Sequence, residues 1–405
     1  MKTRPYFFGL LLLFLLVLIP IGCGKPSLGY KSVQGIMEDA VADSAWPGGV
    51  LIAGNRDSVL IHSAAGYHTY ERQHKTCKDD IFDLASLTKV IGTTSAIMKL
   101  CGDSLISLDD PAVRYVPRLQ GPTKVQTMLK KTITIRHLLT HTAGFEPFRL
   151  FYEMEGGTAA RWDSVFRSPL VTKPGTATVY SDIGFMLLAK VVESVTGESI
   201  DRYLKRQIFD TLKMDDTHYT PPPSLLPRIV PTEYDTLEGL LVHGAVHDSN
   251  ARSLGGVAGH AGLFSTAEDL SRFARMMLNG GELDGVRIFR EATVARFTHP
   301  VSENSTRCLG WDSPGGESSG GIYLSPESYG HTGFTGTSIW IDPANDVFLI
   351  VLTNAVHPFR TRKNPGYYDW RQLVSSVAFE EMGVYKRNPD LLLKERWVER
   401  FGLHR

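Results

Sequence analysis

The residues IFDLASLTKV, at positions 81–90, contain the only Ser-x-x-Lys spacing in the chain. A short apolar run ends at Ala85, and a segment with helical periodicity continues from Ser86 to about Leu100. Residues three apart on a helix are neighbours, so the ammonium of Lys89 is expected within reach of the Ser86 hydroxyl. The segment therefore predicts a serine and a lysine held together at the start of a helix.

This pairing is typical of a nucleophilic serine. A serine hydroxyl is a weak nucleophile until a neighbouring base takes its proton. Lysine can be that base only where burial or nearby positive charge lowers its pKa from about 10.4. The start of a helix also offers free backbone N–H groups to an oxyanion. The structural alternative is an ordinary solvated helix start.

A second candidate feature is Tyr180-Ser181-Asp182, which precedes an amphipathic helix that begins at Ile183. A phenol beside a lysine ammonium loses its proton more easily, so Tyr180 is a candidate for carrying a proton to a leaving group. Asp182 has two interpretations: it contributes to the site, or it is only the N-cap of the helix.

The third feature is His331-Thr332-Gly333, which is followed by Phe334 and a predicted hairpin strand. A glycine on an edge strand lets a substrate backbone approach closely, and Thr332 offers a hydroxyl to a substrate carboxylate. His331 is expected to add a charge that depends on pH. The three residues together predict a strand that lines a substrate pocket.

In this order, the three motifs resemble the signature of penicillin-recognising serine enzymes. The resemblance is to the class C β-lactamase and D-alanyl-D-alanine carboxypeptidase superfamily. The segments HLLTHTAG (137–144) and GLFSTAEDL (262–270) are similar to segments of that family. Two more, VHDSNA (246–251) and GGVAGHAG (255–262), are similar to a branch of penicillin-binding-protein-like serine hydrolases. The likeness spans roughly residues 33–382.

The resemblance implies that Ser86 is the nucleophile of an acyl-enzyme mechanism, with Lys89 and Tyr180 as proton-transfer groups. It leaves open which of these two is the acylation base, because a coupled pair titrates as a unit. The backbone N–H groups of Ser86 and Phe334 would form the oxyanion hole. The residues expected to contact substrate are Asp182, His331, Thr332, Gly333 and Phe334.

Two departures from the family pattern bear on the reaction. Asp182 stands where the family has asparagine, and His331 stands where many members have lysine. Both favour peptidase or esterase activity over β-lactam hydrolysis. The expected function is therefore a D-alanyl-D-alanine carboxypeptidase or esterase acting on a small-molecule or peptidoglycan-peptide substrate. A class C-type β-lactamase and a lipid-anchored penicillin-binding sensor without turnover remain as alternatives.

The pattern of apolar residues predicts an α+β fold. Apolar stretches at 50–53 and 59–61 form one hairpin, and those at 338–341 and 347–352 form another. Between them the periodicity is mostly helical, as at 183–195 and 267–278. We expect an antiparallel sheet flanked by helices beside a helix-rich lobe, with the active-site cleft between them.

Composition excludes several other classes of function. Lysine plus arginine and aspartate plus glutamate both number 43, so no net charge attracts nucleic acid. Cys77, Cys101 and Cys308 lack the spacing of a zinc site or a disulfide framework, and we expect buried free thiols, no metal and no cofactor. His243 and His247 lack the glutamate of a metalloprotease motif, so structural roles are favoured.

A Gly-x-Ser-x-Gly pattern at residues 316–320 offers a rival nucleophile. That motif requires a buried strand before the serine and a helix after it. Both flanks have the composition of loops, and residues 313–321 are expected to form a flexible surface loop. This alternative is therefore disfavoured.

The N-terminus matches an export signal: basic residues precede an apolar run at 7–19 that is short for a membrane span. Pro20-Ile21-Gly22-Cys23 resembles a bacterial lipobox, with Pro20 where an aliphatic residue is usual. We expect a lipoprotein-type signal peptide (1–23), a short tether (24–32), a catalytic domain (33–382) and a polar C-terminal extension (383–405). Lipidation of Cys23 would anchor the exported protein to the outer side of a bacterial membrane.

Overall fold

The computed structural model describes residues 28–30, 32–236, 239–302, 305–363 and 365–401. The strands are β1 Gly48–Gly54, β2 Val59–Gly66, β3 Phe82–Asp83, β4 His218–Tyr219, β5 Tyr234–Asp235, β6 Leu240–Leu241, β7 Leu263–Ser265, β8 Glu282–Leu283, β9 Val286–Arg287, β10 Tyr329–Gly333, β11 Thr337–Asp342 and β12 Val347–Thr353. The α-helices are α1 Val33–Ala42, α2 Ser95–Gly102, α3 Lys124–Lys130, α4 Ile135–Leu139, α5 Thr158–Arg167, α6 Asp182–Thr196, α7 Ile200–Leu204, α8 Ser249–Ser253, α9 Ala267–Leu278, α10 Glu291–Thr298, α11 Gly366–Glu381 and α12 Glu395–Phe401.

The main sheet joins strands from both ends of the chain. Its five strands are antiparallel, in the order β10-β11-β12-β1-β2. The two predicted hairpins meet where β1 pairs with β12, so that Val50 lies opposite Leu352. The remaining strands form short two- and three-stranded sheets, and the predicted α+β fold is confirmed.

Both faces of this sheet are covered. Along β1, Val50 and Ile52 belong to the hydrophobic core shared with the helical lobe. Leu51 and Ala53 point the other way, into a second core formed with α1 and α11. Successive side chains of a strand alternate between faces, so an uninterrupted apolar strand indicates burial on both sides. The helix-rich lobe therefore lies on one face of the sheet, as the sequence predicts.

The segment that carries Ser86 differs from the simple helix expected. Residues 85–87 form a 3₁₀ turn, residues 88–94 form a π-helix, and α2 follows at Ser95. The hydroxyl of Ser95 donates a hydrogen bond to the carbonyl of Val90, five residues earlier, at 2.9 Å. This bond spans the widened turn, and π-helical turns of this kind occur frequently at functional sites.

The C-terminal segment packs more closely than a polar extension would. Leu391, Leu393 and Trp397 are buried in the second hydrophobic core, although 383–405 was expected to be a polar extension. Several of the surrounding residues are charged, so the composition of residues 383–405 as a whole is polar. That average did not reveal the three apolar positions. At the other end, the backbone N–H of Leu28 donates to the carboxylate of Glu380 at 2.9 Å.

The predicted signal peptide and Cys23 lie outside the described residues. In the part of the chain that the structure describes, no helix has the length and apolarity needed to cross a membrane. Cys77, Cys101 and Cys308 are free thiols, as expected. Cys308 is buried as predicted, but Cys77 is exposed, so the expectation of burial is wrong for that residue.

Candidate active site

Ser86 and Lys89 contact each other as the sequence predicts. The ammonium of Lys89 donates hydrogen bonds to Ser86 Oγ and to the carbonyl of His260, each at 3.0 Å. Lys89 is fully buried, and its ammonium also lies 2.7 Å from Asp182 Oδ1. A buried ammonium thus joins the serine to a carboxylate from α6.

The charge on Lys89 follows from these contacts. Burial alone would lower the pKa of Lys89, but the carboxylate of Asp182 and the phenol of Tyr180 outweigh it and raise that pKa. Lys89 is therefore an ammonium throughout the neutral pH range. It can donate a hydrogen bond to Ser86, but it cannot accept the serine proton while it stays paired with Asp182.

The structure distinguishes between the two interpretations of Asp182. It is the first residue of α6, whereas Ser181 occupies the N-cap position, and the Ser181 hydroxyl donates instead to the carbonyl of Glu146 at 2.6 Å. The N-cap alternative is therefore wrong. The side chain of Asp182 borders the cleft and pairs with Lys89, because residue 182 of α6 faces the segment that carries Ser86.

Tyr180 packs between two imidazole rings. Its ring centroid lies 4.4 Å from that of His141 and 6.1 Å from that of His331. The backbone N–H of Ser181 donates to His141 Nδ1 at 3.0 Å, which fixes this ring beside Tyr180. The ammonium of Lys89 lies 5.0 Å from the centre of the phenol ring. His141 belongs to the family-like segment 137–144, and no spacing in the sequence indicated its contact with Tyr180.

His331 lines the cleft, but its charge does not change in the neutral range. Burial, followed by the positive charges of Lys89 and Arg307, lowers the pKa of His331 to about 3. Its Nδ1 lies 2.8 Å from the carbonyl oxygen of Thr332. The expectation of a pH-dependent charge at this position is wrong, because the ring is buried among cations.

Gly333 permits a close approach by the protein itself. A Cβ at this position would lie 2.4 Å from the carbonyl oxygen of Leu84 and 2.0 Å from Thr337 Oγ1. The hydroxyl of Thr337 donates to the same Leu84 carbonyl at 3.0 Å, and that of Thr335 donates to the carbonyl of Asp83 at 2.7 Å. The chain needs a glycine here to seat β10 against the segment before Ser86.

The residue before the serine is held in an unusual conformation. Ala85 has a φ of 46°, in the left-handed region that costs energy for a residue with a Cβ. The buried carboxylate of Asp83 accepts hydrogen bonds from the N–H of Ala85 at 2.8 Å and of His247 at 2.7 Å. These contacts fix the orientation of Ser86 relative to β10.

Two clefts meet at Ser86. The first, of about 310 Å³, has an apolar rim that includes Phe148, Leu150 and Phe334. The second, of about 340 Å³, includes Arg307 and Thr332. Ser86 and Phe334 border both clefts, so a substrate that reaches Ser86 can place a different group on each side.

Acid–base pairs surround the first cleft. His260 Nε2 lies 2.9 Å from Asp248 Oδ1, and His247 Nε2 lies 2.8 Å from Glu233 Oε2. Arg360 donates to the same Glu233 at 2.6 Å. The charges of this cleft are thus paired within the protein. Both histidines lie in the family-like segments 246–251 and 255–262, but Glu233 is distant from them in sequence, and no sequence pattern indicated either pair.

One group of side chains near Lys89 has the geometry of metal ligands. Ligand atoms of Asp182, Asp248 and His260 lie within 4.8 Å of one another. The ammonium of Lys89 already balances the charge of Asp182, and His260 already bonds to Asp248. The three side chains therefore have partners within the protein.

The rival sites do not assemble. Ser318 and Ser319 are buried, and Ser319 Oγ accepts a hydrogen bond from the Trp340 indole at 3.0 Å. Residues 318–321 are buried against α11 and β11, so the expectation of a flexible surface loop is wrong for this part. His243 Nε2 lies 2.8 Å from the carbonyl oxygen of Ile229, in keeping with a structural role.

Comparison with known proteins agrees with this architecture. The beta-lactamase family model matches residues 33–372. A protein of Escherichia coli (strain K12), named "Putative D-alanyl-D-alanine carboxypeptidase", is 34% identical over 334 residues, covering 75% of this chain and 76% of the relative. A Salmonella typhimurium protein of the same name is 32% identical over 349 residues, which cover 78% of this chain and 80% of the Salmonella protein.

A solved structure shares the fold. The penicillin-binding protein homolog from Caulobacter crescentus superposes with a TM-score of 0.67 at 18% identity, covering 86% of this chain and 96% of that one.

Proposed function

The chain belongs to the beta-lactamase family and is a serine hydrolase, and we propose that it is a D-alanyl-D-alanine carboxypeptidase with esterase capacity. The observation that carries the proposal is the position of Ser86 between two clefts. One is apolar, and the other contains Thr332 and Arg307, whose guanidinium lies 3.3 Å from Asp312 Oδ2. This arrangement suits a substrate with an uncharged acyl part and a leaving group that ends in a carboxylate.

Substrate binding follows from the two clefts. The terminal carboxylate of the peptide accepts hydrogen bonds from Arg307 and from the Thr332 hydroxyl, and charge-assisted bonds of this kind are stronger than neutral ones. The penultimate residue and the preceding chain lie in the first cleft, against Phe148 and Leu150. The scissile carbonyl is then held beside Ser86 in an orientation ready for attack.

Acylation needs a base other than Lys89, which is paired with Asp182. We assign that role to the oxygen of Tyr180, acting as the phenolate, because the ring of Tyr180 lies 5.0 Å from the Lys89 ammonium beside Ser86. Ser86 Oγ forms a bond to the carbonyl carbon, and its proton passes to Tyr180. The ammonium of Lys89 remains charged and orients Ser86 Oγ through its hydrogen bond.

The negative charge that develops on the carbonyl oxygen is stabilised by the backbone N–H groups of Ser86 and Phe334. When the tetrahedral intermediate collapses, the carbon–nitrogen bond breaks and the leaving amine takes the proton from Tyr180. This leaves an acyl-enzyme on Ser86 and free D-alanine. Water then attacks the ester carbon and gives a proton to Tyr180. The bond between that carbon and Ser86 Oγ breaks, Oγ takes the proton from Tyr180, and the shortened peptide leaves as a carboxylic acid.

The relatives named as carboxypeptidases support a peptide substrate, and Asp182 disfavours the β-lactamase alternative. An ionised carboxylate accepts hydrogen bonds but cannot donate one to the amide carbonyl of a β-lactam side chain. The carboxylate of Asp182 lies 2.7 Å from the ammonium of Lys89. We therefore assign penicillin the role of a slowly released acylating agent.

Three substrates tested in parallel examine this proposal: N-acetyl-L-lysyl-D-alanyl-D-alanine, a short-chain ester and penicillin. We expect catalytic release of D-alanine, slower turnover of the ester and a persistent penicillin adduct. Rapid penicillin hydrolysis without D-alanine release would favour the β-lactamase. Adduct formation with no turnover of the peptide or the ester would favour the sensor without turnover.

We also propose that the protein is exported and anchored through lipid on Cys23, an assignment supported by the sequence of the N-terminus. One acyl chain gives only marginal membrane binding, so stable retention requires the multiply acylated cysteine of a lipoprotein. Cys23→Ser should move the protein out of the membrane fraction, whereas Cys77→Ser should not. Retention of processed Cys23→Ser protein in the membrane fraction would contradict the anchor.

A further inference from the structure

Two buried cations form the wall of the second cleft beyond Thr332. Lys363 and Arg371 lie just before and within the first turns of α11, and both border the cleft that contains Ser86. Their exposed fractions are only 5% and 9%. Charged side chains are seldom buried to this extent unless they are paired with an opposite charge.

Within the described residues, no carboxylate lies at ion-pair distance from either cation. The ammonium of Lys363 donates to the carbonyl of Phe334, and Arg371 Nη1 donates to the hydroxyl of Tyr367 at 2.9 Å. Arg371 Nε is buried and has no hydrogen-bond partner. The acceptors that are present are neutral, so they leave both positive charges uncompensated.

Arg360, which borders the first cleft, differs from these two cations. Arg360 is paired with Glu233 at 2.6 Å. Burial, followed by the charges of Arg371 and Arg360, lowers the pKa of Lys363 to about 8. The two cations therefore repel each other, and a bound anion would relieve both the repulsion and the burial cost.

Aromatic rings hold these cations without neutralising them. The Arg371 guanidinium lies 4.9 Å from the ring centre of Tyr367, and the Lys363 ammonium lies 4.4 Å from that of Phe334. Cation–π contacts stabilise a cation in place. They do not provide a hydrogen-bond acceptor for the unmatched Nε of Arg371.

We propose that Lys363 and Arg371 bind a second carboxylate, carried on the side chain of the leaving residue. The inference rests on the proposed function, which places the terminal carboxylate of that residue at Arg307 and Thr332. The preferred substrates would then be peptides that end in an acidic D-amino acid. Arg307 and Thr332 would bind its main-chain carboxylate, and Lys363 and Arg371 would bind its side-chain carboxylate.

Binding to Ser86→Ala protein tests the proposal independently of turnover. The ligands are N-acetyl-L-lysyl-D-alanyl peptides that end in D-glutamate, D-glutamine, D-aspartate or D-asparagine, titrated by calorimetry. We expect at least one acid to bind about tenfold or more tightly than its amide, the range of a charge-assisted hydrogen bond. Adding Arg371→Gln or Lys363→Met should bring the two affinities within about twofold.

Two controls make the result specific. Arg362→Gln removes an exposed arginine beside the site and should keep the preference for the acid, and Arg371→Lys should restore part of it. Lys363→Met decides the outcome if Arg371→Gln does not fold, as judged by circular dichroism. The proposal would be overturned if D-glutamate and D-glutamine peptides bound equally and D-aspartate and D-asparagine peptides did too. It would also be overturned if the preference for the acid survived both Arg371→Gln and Lys363→Met. Failure of the proposed function would appear separately, as no release of any D-amino acid by the unsubstituted enzyme.

Discussion

The carboxylate of Asp182 lies 2.7 Å from the ammonium of Lys89, which in turn donates to Ser86 Oγ at 3.0 Å. This relationship decides how the serine can be activated. A lysine that stays charged acts as a hydrogen-bond donor and a source of positive potential, and proton transfer passes to Tyr180. The predictions below test separate parts of that arrangement.

Asp182→Asn should make activity sensitive to alkaline pH. Burial lowers the pKa of Lys89, and the Asp182 carboxylate raises it by more than burial lowers it. Without that carboxylate, burial should lower the pKa of Lys89. The ammonium should then be lost at lower pH, and kcat/KM should decline on the alkaline side below about pH 10, the ordinary range of lysine. The pH profile of peptide hydrolysis measures this.

The control for that experiment is Asp163→Asn, an exposed aspartate on α5 that pairs with Arg118 and Arg167. Its pH profile should match that of the unsubstituted enzyme. If the profiles of Asp182→Asn and the unsubstituted enzyme overlap across the whole range, Asp182 does not set the charge of Lys89.

Tyr180→Phe should lower kcat by roughly 10²–10⁴-fold, the contribution of a positioned acid or base. The ring contacts with His141 and His331 do not involve the hydroxyl, so the fold should remain intact. Steady-state hydrolysis of peptide and ester measures the effect, with Tyr115→Phe as a remote control. A rate within threefold of the unsubstituted enzyme would remove Tyr180 from the mechanism.

Arg307→Gln should weaken binding of substrates with a carboxylate on the leaving group. Loss of one charge-assisted hydrogen bond corresponds to about 10- to 100-fold in KM for the D-alanyl-D-alanine peptide. An uncharged ester should be affected much less, and Arg290→Gln should change neither. Equal effects on peptide and ester would mean that Arg307 does not recognise the carboxylate.

The sequence predicted those parts of the site that depend on local spacing. Ser86 and Lys89 are three residues apart, and pairs of apolar stretches on either side of short turns predicted both hairpins. Asp182 and Lys89 are far apart in sequence, so no local spacing predicted their ion pair. An aspartate at the start of a helix is also common as a cap, and its residue type therefore did not indicate a site role. Arg307, Lys363 and Arg371 are scattered in the sequence, and only the fold brings them to one cleft.

Glu233→Gln should reduce stability at neutral pH but not in strong acid. Burial would raise the pKa of Glu233, but hydrogen bonds from His247 and Arg360 outweigh it and lower that pKa to about 2. A carboxyl group whose pKa is lowered by folding stabilises the fold fully at pH values above its unfolded-state pKa of about 4.5. This stabilisation is lost as the pH falls towards the folded-state pKa of about 2. We expect a loss of about 2–3 kcal/mol at pH 7.

Urea denaturation at several pH values measures this difference, and Glu268→Gln, on the exposed face of α9, provides the control. The difference between Glu233→Gln and the unsubstituted protein should shrink steadily between pH 5 and the lowest pH at which the protein still folds. A difference that is independent of pH would contradict the ionic role of Glu233.

The central claim is that substrates become covalently attached to Ser86, and intact-protein mass spectrometry after incubation with penicillin tests it most directly. The unsubstituted protein and Ser318→Ala should each gain the mass of one penicillin, and peptide mapping should locate it in residues 81–90. Ser86→Ala should gain no mass. One penicillin per molecule of Ser86→Ala protein would contradict the account.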